Sequence, residues 1–196
     1  MTMRTALCTT TLAALLSLPH AALAQEAVDA QPESETPAGE PYLAETYDDW
    51  EILCTQFEDA DEEVCEMYQL LLDEEESPIA EISIAALPPD SEVAAGATIT
   101  TPLETFLPAG VGWSIGDDDN MRVEGFRMCA AIGCIARVGF NQDEIDEMKA
   151  GSHANITIAP FVAIDQPIDI RVSLIGFTAA LEDLQSRLPE AAPEEE

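Results

Sequence analysis

The chain has 196 residues, with 39 Asp+Glu against 7 Lys+Arg and a formal net charge of −32, enough length for one domain and too little for two of ordinary size. Hydrophobic residues make up 47% of it, so a packed core is within reach and a wholly disordered chain is excluded. An acid excess of this size also excludes binding by phosphate neutralisation, which sets aside nucleic acid and anionic membrane surfaces as partners.

The first 24 residues read as a secretory signal. Arg4 supplies the positive n-region and Ala22-Leu23-Ala24 the small-x-small pattern for cleavage after Ala24. The apolar stretch Ala6–Leu18 holds 13 residues, fewer than the ~20 a spanning helix needs. Cys8 lies inside that stretch, away from the cleavage point. The expectation is a soluble, periplasmic or secreted protein with no transmembrane segment. Residues 25–44 are rich in Pro, Glu, Ala and Ser without periodicity, an acidic disordered leader, and 189–196 form an acidic tail of the same kind. The folded domain is therefore expected over 45–188.

Within it, alternation of apolar and polar residues dominates. Trp50, Ile52 and Cys54 alternate with Glu51 and Leu53; Val64–Leu71, Ile79–Ala86 and Ala97–Thr101 follow, the last stopped by Pro102. Val111, Trp113 and Ile115 alternate up to the turn Gly116-Asp117-Asp118-Asp119-Asn120, and Met121, Val123 and Gly125 resume beyond it, a hairpin. Cys134, Ala136, Val138 and Phe140 share one face, Ile156 and Ile158 mark another strand, and Ile168, Ile170, Val172 and Leu174 the last. Eight or nine short strands separated by turn residues predict a two-sheet antiparallel sandwich. Two helices interrupt them. Asn141 is an N-cap for Gln142–Ala150, with Lys149 in the last turn and Gly151 as the stop. Phe177, Leu181, Leu184 and Leu188 draw one apolar stripe over Phe177–Leu188, for packing against the sandwich.

Apart from Cys8, four cysteines are present: Cys54, Cys65, Cys129 and Cys134. An even number after export argues for two disulfides, with three pairings open. The sequential pairing, Cys54–Cys65 and Cys129–Cys134, is favoured because each pair flanks a polar or small-residue loop between strand-like runs. Neither spacing matches a zinc knuckle or a Cys-x-x-Cys redox pair. The acidic clusters Glu58–Glu63 and Asp117–Asn120 lack the alternating ligands and central Gly of a calcium loop, so no metal is expected.

Catalytic signals are equally scarce. Past the signal the chain has one His, His153, and one Lys, Lys149. The Ser152-His153 neighbours do not define a nucleophile–base pair, because that geometry is tertiary. No Gly-x-Ser-x-Gly, phosphate-binding loop or dinucleotide fingerprint occurs. No cofactor is expected.

A larger pattern runs through these residues. Trp50 stands four residues before Cys54, and Cys65 precedes Met67 and Gln69. Pro102–Gly110, PLETFLPAG, leads into a strand; Phe126, Cys129 and Gly133-Cys134-Ile135-Ala136 follow, and Ser173-Leu174-Ile175-Gly176-Phe177 with Ala180-Leu181 closes the domain. Over about residues 45–185 this resembles the invasion-associated locus B family of exported bacterial proteins. The resemblance implies an immunoglobulin-like β-sandwich, a periplasmic or envelope location and no established catalytic residues. It leads us to expect a non-enzymatic interaction module with a protein partner in the cell envelope. A carboxylate-dependent hydrolase and a weak divalent-cation binder are the alternatives.

The charge is lopsided: 26 acids and no Lys or Arg lie between Gln25 and Met121, against 13 acids and six bases from Arg122 onward. Such a chain repels itself, and salt relieves the repulsion because the Debye length is only about 8 Å near physiological ionic strength. Thermal melting is expected at a higher midpoint in molar chloride than in low-salt buffer; equal or reversed midpoints would contradict this reading.

Overall fold

A computed structural model describes residues 39–58, 63–73, 75–88, 91–117 and 120–188. The signal, most of the leader and the tail lie outside the described residues.

Among the described residues, eleven strands form two antiparallel sheets. The larger has seven strands in the order β1-β2-β3-β4-β5-β9-β8: Pro41–Tyr47, Trp50–Thr55, Val64–Leu72, Pro78–Ala86, Ala95–Thr101, Gly133–Phe140 and Phe126–Ala130. The smaller has four in the order β11-β10-β6-β7: Ile168–Ser173, His153–Ile158, Val111–Ile115 and Arg122–Glu124. Helices α1 (Gln142–Ala150) and α2 (Phe177–Ser186) complete the domain. Two antiparallel sheets with two helices are the architecture that the alternation predicts.

The alternating residues explain the layering. Ile52, Met67, Ile82, Ile84, Ile99, Val138 and Phe140 line the inner face of the large sheet and are buried. Val111, Trp113, Ile156, Ile170 and Val172 face them from the small sheet, all within one buried cluster. The small sheet covers only part of that face, with β11 against β3 and β7 against β9, while α2 covers β1 to β4 with buried Phe177, Ala180, Leu181 and Leu184. The helical stripe therefore packs on the sheet face beside the second sheet. Asn141 caps α1 in a reciprocal box: its side chain accepts the Glu144 N–H (3.0 Å) and its own N–H donates to Glu144 Oε2 (2.9 Å).

Two strands are absent from the alternation, and both are edges. β1 begins at Pro41, inside the stretch assigned to the leader, so the folded domain starts four residues before residue 45. It is poorly buried, bulged between Leu43 and Glu45, and opens on Pro, which only an edge position tolerates. β8, likewise bulged between Phe126 and Met128, has no fully buried residue. An edge strand with little burial on either face has no apolar period to reveal it.

Hydrogen bonds join the two layers where Arg122 Nη2 on β7 donates to the Gly139 carbonyl on β9 (3.1 Å) and, more extensively, where β3 meets β11. Gln69 sits in the inward row of β3 between Met67 and Leu71 and is 7% exposed. Its Oε1 accepts the Ser173 N–H (2.8 Å), and its Nε2 donates to the carbonyls of Asp49 (3.0 Å) and Ser173 (3.2 Å). The indole N–H of Trp50 donates to the same Ser173 carbonyl (2.9 Å), and Ser173 Oγ donates to Asp49 Oδ2 (2.5 Å). The chain then turns through Gly176 at φ +85° into Phe177, whose ring meets Trp50 edge-on at 5.7 Å. Ser173-Leu174-Ile175-Gly176-Phe177 is thus the segment in which β11 leaves one sheet and α2 lands on the other.

Gly176 is required twice over. Its φ is left-handed, and a Cβ there would lie 2.0 Å from the Tyr47 carbonyl oxygen. Gly176→Ala is expected to lower unfolding free energy by at least about 2 kcal/mol, the joint cost of a forbidden φ and a backbone clash. Urea denaturation checks it: a midpoint equal to that of the parent chain would show that the turn relaxes freely.

Candidate functional site

The four cysteines form two bonds, Cys54–Cys65 and Cys129–Cys134, with Cα separations of 4.1 and 4.0 Å. Each pair faces directly across adjacent strands, β2 with β3 and β8 with β9, at the close spacing of an antiparallel pair without mutual backbone hydrogen bonds. Cys129–Cys134 joins the outermost strand pair at one edge of the seven-stranded sheet, and Cys54–Cys65 the second pair in from the other.

Around the first bond lies a polar cluster. Tyr42 on β1 donates its phenol hydrogen to Glu63, and that hydrogen bond, with burial, raises the Tyr42 pKa. Arg187 pairs with Asp183 at 2.9 Å and with Glu63 at 3.8 Å, and its guanidinium lies 3.8 Å from Cys54 Sγ. The ligand atoms of Cys54, Glu63 and Cys65 lie within 4.8 Å of one another, the spacing of a metal site. The two sulfurs are already bonded to each other, however, and the carboxylate is engaged by Tyr42 and Arg187. The cluster ties the end of α2 to the β2–β3 loop. On the outer face of β3, Tyr68 is pushed up to about 12 by burial and by its hydrogen bond to Glu81.

The structure brings Ser152, His153 and Asp117 together, a combination in which the sequence shows only neighbours. Ser152 Oγ is 3.3 Å from His153 Nδ1, and His153 Nε2 is 3.3 Å from Asp117 Oδ1. The Ser–His contact is between adjacent residues, and the Asp117 side chain is 99% exposed. A triad needs its acid held out of water to orient the imidazole and stabilise its cation. This carboxylate is water-screened, so the arrangement lacks that support. Of the two acidic clusters, Asp59–Glu62 and Asp118–Asp119 lie outside the described residues.

A different surface stands out once the loops are placed. Pro102–Gly110 and Ala159–Pro167 run side by side at one end of the sandwich. Thr105 and Pro160 form a bridge, Phe106 N–H donates to the Ala159 carbonyl (2.7 Å), and Phe161 N–H donates to the Glu104 carbonyl (2.7 Å). Thr105 Oγ1 closes the first loop on the Pro102 carbonyl (2.7 Å). The rings of Phe106 and Phe161 lie 6.3 Å apart. The side chains this frame presents are apolar and exposed: Leu103, Leu107, Ile164, Phe161 at 68% and Val162 at 89%. Ile132, in the β8–β9 turn, lies at the same end, because Gly133 abuts the Thr101 carbonyl. Glu104 and Asp165 are the only charged residues in the two loops, in a chain where charged residues make up 23%. Grouped exposed apolar side chains on a rigid frame mark an interaction surface, whereas scattered ones do not.

Together these features define a class: a disulfide-bonded, two-layer antiparallel β domain, acidic over its body and apolar at one end. Residues 50–185 match the profile of the family described as Invasion associated locus B (IalB) protein, and the chain belongs to that family. It is 29% identical over 154 residues to invasion protein B homologs of Brucella abortus strain 2308 and of Brucella abortus biovar 1 strain 9-941, covering 76% of this chain and 83% of each relative. Its fold is similar to the crystal structure of invasion associated protein b from Bartonella henselae, with a TM-score of 0.63, 25% identity, and coverage of 74% of this chain and 96% of that one.

Reading by residue type finds the cysteines and misses the apolar end. PLETFLPAG is visible in the sequence as a family segment, but its partner loop, Pro160-Phe161-Val162-Ala163-Ile164, lies over 50 residues away. The available signal is an irregular apolar run between Pro160 and Pro167, too short for a helix and without strand alternation.

Each disulfide closes a short loop, of 11 and 5 residues, so each stabilises mainly by restricting the unfolded chain, about 2–3 kcal/mol apiece. Cys129→Ser with Cys134→Ser is expected to cost about 2 kcal/mol and Cys54→Ser with Cys65→Ser somewhat more. Chemical denaturation of the two paired variants measures both; no loss in either would show that the bonds are dispensable to the sheet edges.

Proposed function

We propose that this protein is an exported, non-enzymatic module of the cell envelope that docks a protein partner through its apolar end. The observation that carries the reading is the frame of two hydrogen-bonded loops presenting Leu103, Leu107, Phe161, Val162 and Ile164 to solvent. An acidic domain would gain solubility from charge at that end, yet the loops hold almost none. Burial against a partner accounts for that omission, since charged residues are depleted at interface centres and aromatic residues enriched.

Export is supported by the signal-like first 24 residues and by two disulfides, which persist in oxidising compartments. Among the described residues no helix is long and apolar enough to cross a membrane. The non-enzymatic reading is supported by the exposed setting of Ser152 and of Asp117, the carboxylate that would have to orient His153. The relatives carry invasion in their names; a docking surface is the property of this chain that such a role would use.

The test is affinity capture from envelope extract at moderate salt, with the mature protein and a Phe161→Asp, Val162→Asp variant as paired baits. Both side chains are exposed, so the variant is expected to melt within a degree or two of the parent, as surface changes do. Envelope components held by the parent are expected to fall at least tenfold on the variant, the scale of losing a central apolar anchor. Equal capture by both baits would overturn docking at this end.

A further inference from the structure

The small sheet has one edge that the described residues leave open. Both edge strands of the large sheet are bulged, and β7, at one side of the small sheet, is only three residues long. β11, at the other side, runs in unbroken register with β10, from Ile158 opposite Ile168 to His153 opposite Ser173. The ladder fixes where its backbone groups point. Leu174 N–H donates to the Ser152 carbonyl at 3.1 Å, so His153 and Ser173 form a pair without mutual hydrogen bonds. Ser173, Arg171 and Asp169 therefore turn their N–H and C=O groups away from β10. At Ser173 those groups are taken: the Gln69 amide meets both, as a peptide unit of a neighbouring strand would. At Arg171 and Asp169 they have no hydrogen-bond partner among the described residues.

The open stretch is reachable. Ile168 shares the inward row with Ile170 and Val172, yet it is 39% exposed where they are 2% and 0%. α2 leaves after Ser173 and packs on β1 to β4. Asp169 and Arg171 are exposed. Asp169 accepts a hydrogen bond from Thr157 Oγ1 at 2.6 Å. Arg171 has no ion-pair partner among the described residues, whereas Arg122 and Arg187 each have one, in a chain of 39 acids and seven bases. Charges on an edge strand ordinarily discourage pairing. Here the signs are opposite and two residues apart, a spacing that complements itself. When two copies of β11 run antiparallel about Ile170, Asp169 of each faces Arg171 of the other, and Ile168 faces Val172. A shift of the axis to either neighbour sets Asp169 against Asp169 or Arg171 against Arg171, which is unfavourable. Ser173, already held by Gln69, faces Pro167, which has no N–H to donate.

We propose that β11 is a self-association edge, on which a second copy of this chain pairs its own β11 antiparallel about Ile170. Backbone hydrogen bonds form between Asp169 and Arg171 of opposite copies, and the same two residues make cross-strand ion pairs on the exposed face. The acidic bodies oppose this approach at long range. Salt screens that repulsion beyond about 8 Å near physiological ionic strength, while the opposed pairs meet at contact distance. The paired stretch is short, so the dimer is reversible and depends on concentration. The loops 159–167 enter β11 at its start, so antiparallel pairing leaves the apolar ends of the two copies at opposite ends of the pair. The inference therefore stands independently of docking there.

Sedimentation of the mature protein from micromolar to near-millimolar concentration, at moderate salt, tests it by charge exchange. The parent chain is expected to show a monomer–dimer equilibrium. Arg171→Asp and Asp169→Arg, which each set like charges across the pair, are expected to weaken the dimer at least about tenfold. They move the net charge in opposite directions, so a loss in both is not an effect of overall charge. The double exchange Asp169→Arg, Arg171→Asp rebuilds the complement and is expected to recover the parent affinity to within about threefold. The two single variants mixed together are expected to form a heterodimer. Phe161→Asp with Val162→Asp is expected to leave the dimer intact, which separates this edge from the apolar end. A chain that stays monomeric throughout, a dimer indifferent to both single exchanges, or a double exchange that fails to restore it would overturn the assignment.

Discussion

The architecture hangs on one polar node in an apolar layer. Gln69 lies in the inward row of β3, a position that alternation reserves for an apolar side chain, and its amide clasps the backbone of Ser173 from the second sheet. Burying an amide is unfavourable unless its groups are paired, and here the Asp49 and Ser173 carbonyls accept from its Nε2 while the Ser173 N–H donates to its Oε1. Apolar packing alone would let the small sheet slide along the large one, since hydrophobic burial has no direction. Hydrogen bonds from Gln69 and Trp50 to a single residue fix where β11 ends. Gly176 then turns the chain against Tyr47 so that Phe177 seats on Trp50. The placement of α2, and through Arg187 the anchoring of the β2–β3 loop, follow from that point.

Around this node the surface divides by chemistry. Both edge strands of the large sheet, β1 and β8, are bulged, a feature that keeps exposed strand edges from pairing with other chains. The acidic body repels its own copies and anionic surfaces. Against that background one departure is easy to read: an end where charge is withheld and apolar side chains are displayed on a hydrogen-bonded frame.

Much of this was legible from residue order. The strands Trp50–Thr55, Pro78–Ala86 and Ile168–Ser173 alternate because one face is buried and the other wet, and α1 carries its own capping box. The cysteine pairs flank short loops, and the structure joins them across those loops. β1 and β8 were not legible, because an edge strand that buries little carries no apolar period, and Pro41 to Ala44 read as leader.

The chain's local order therefore determined the period of each buried strand, the helix ends and the acidic character, all of which depend on residues within a turn or two of one another. Only the tertiary structure decided which distant segments meet. Gln69 and Ser173 are 104 residues apart, and the two apolar loops are joined by the Thr105–Pro160 bridge. A side chain's type states what it can bond, but its partner is set by sheet order and crossing point, and those are fixed by packing of the whole core.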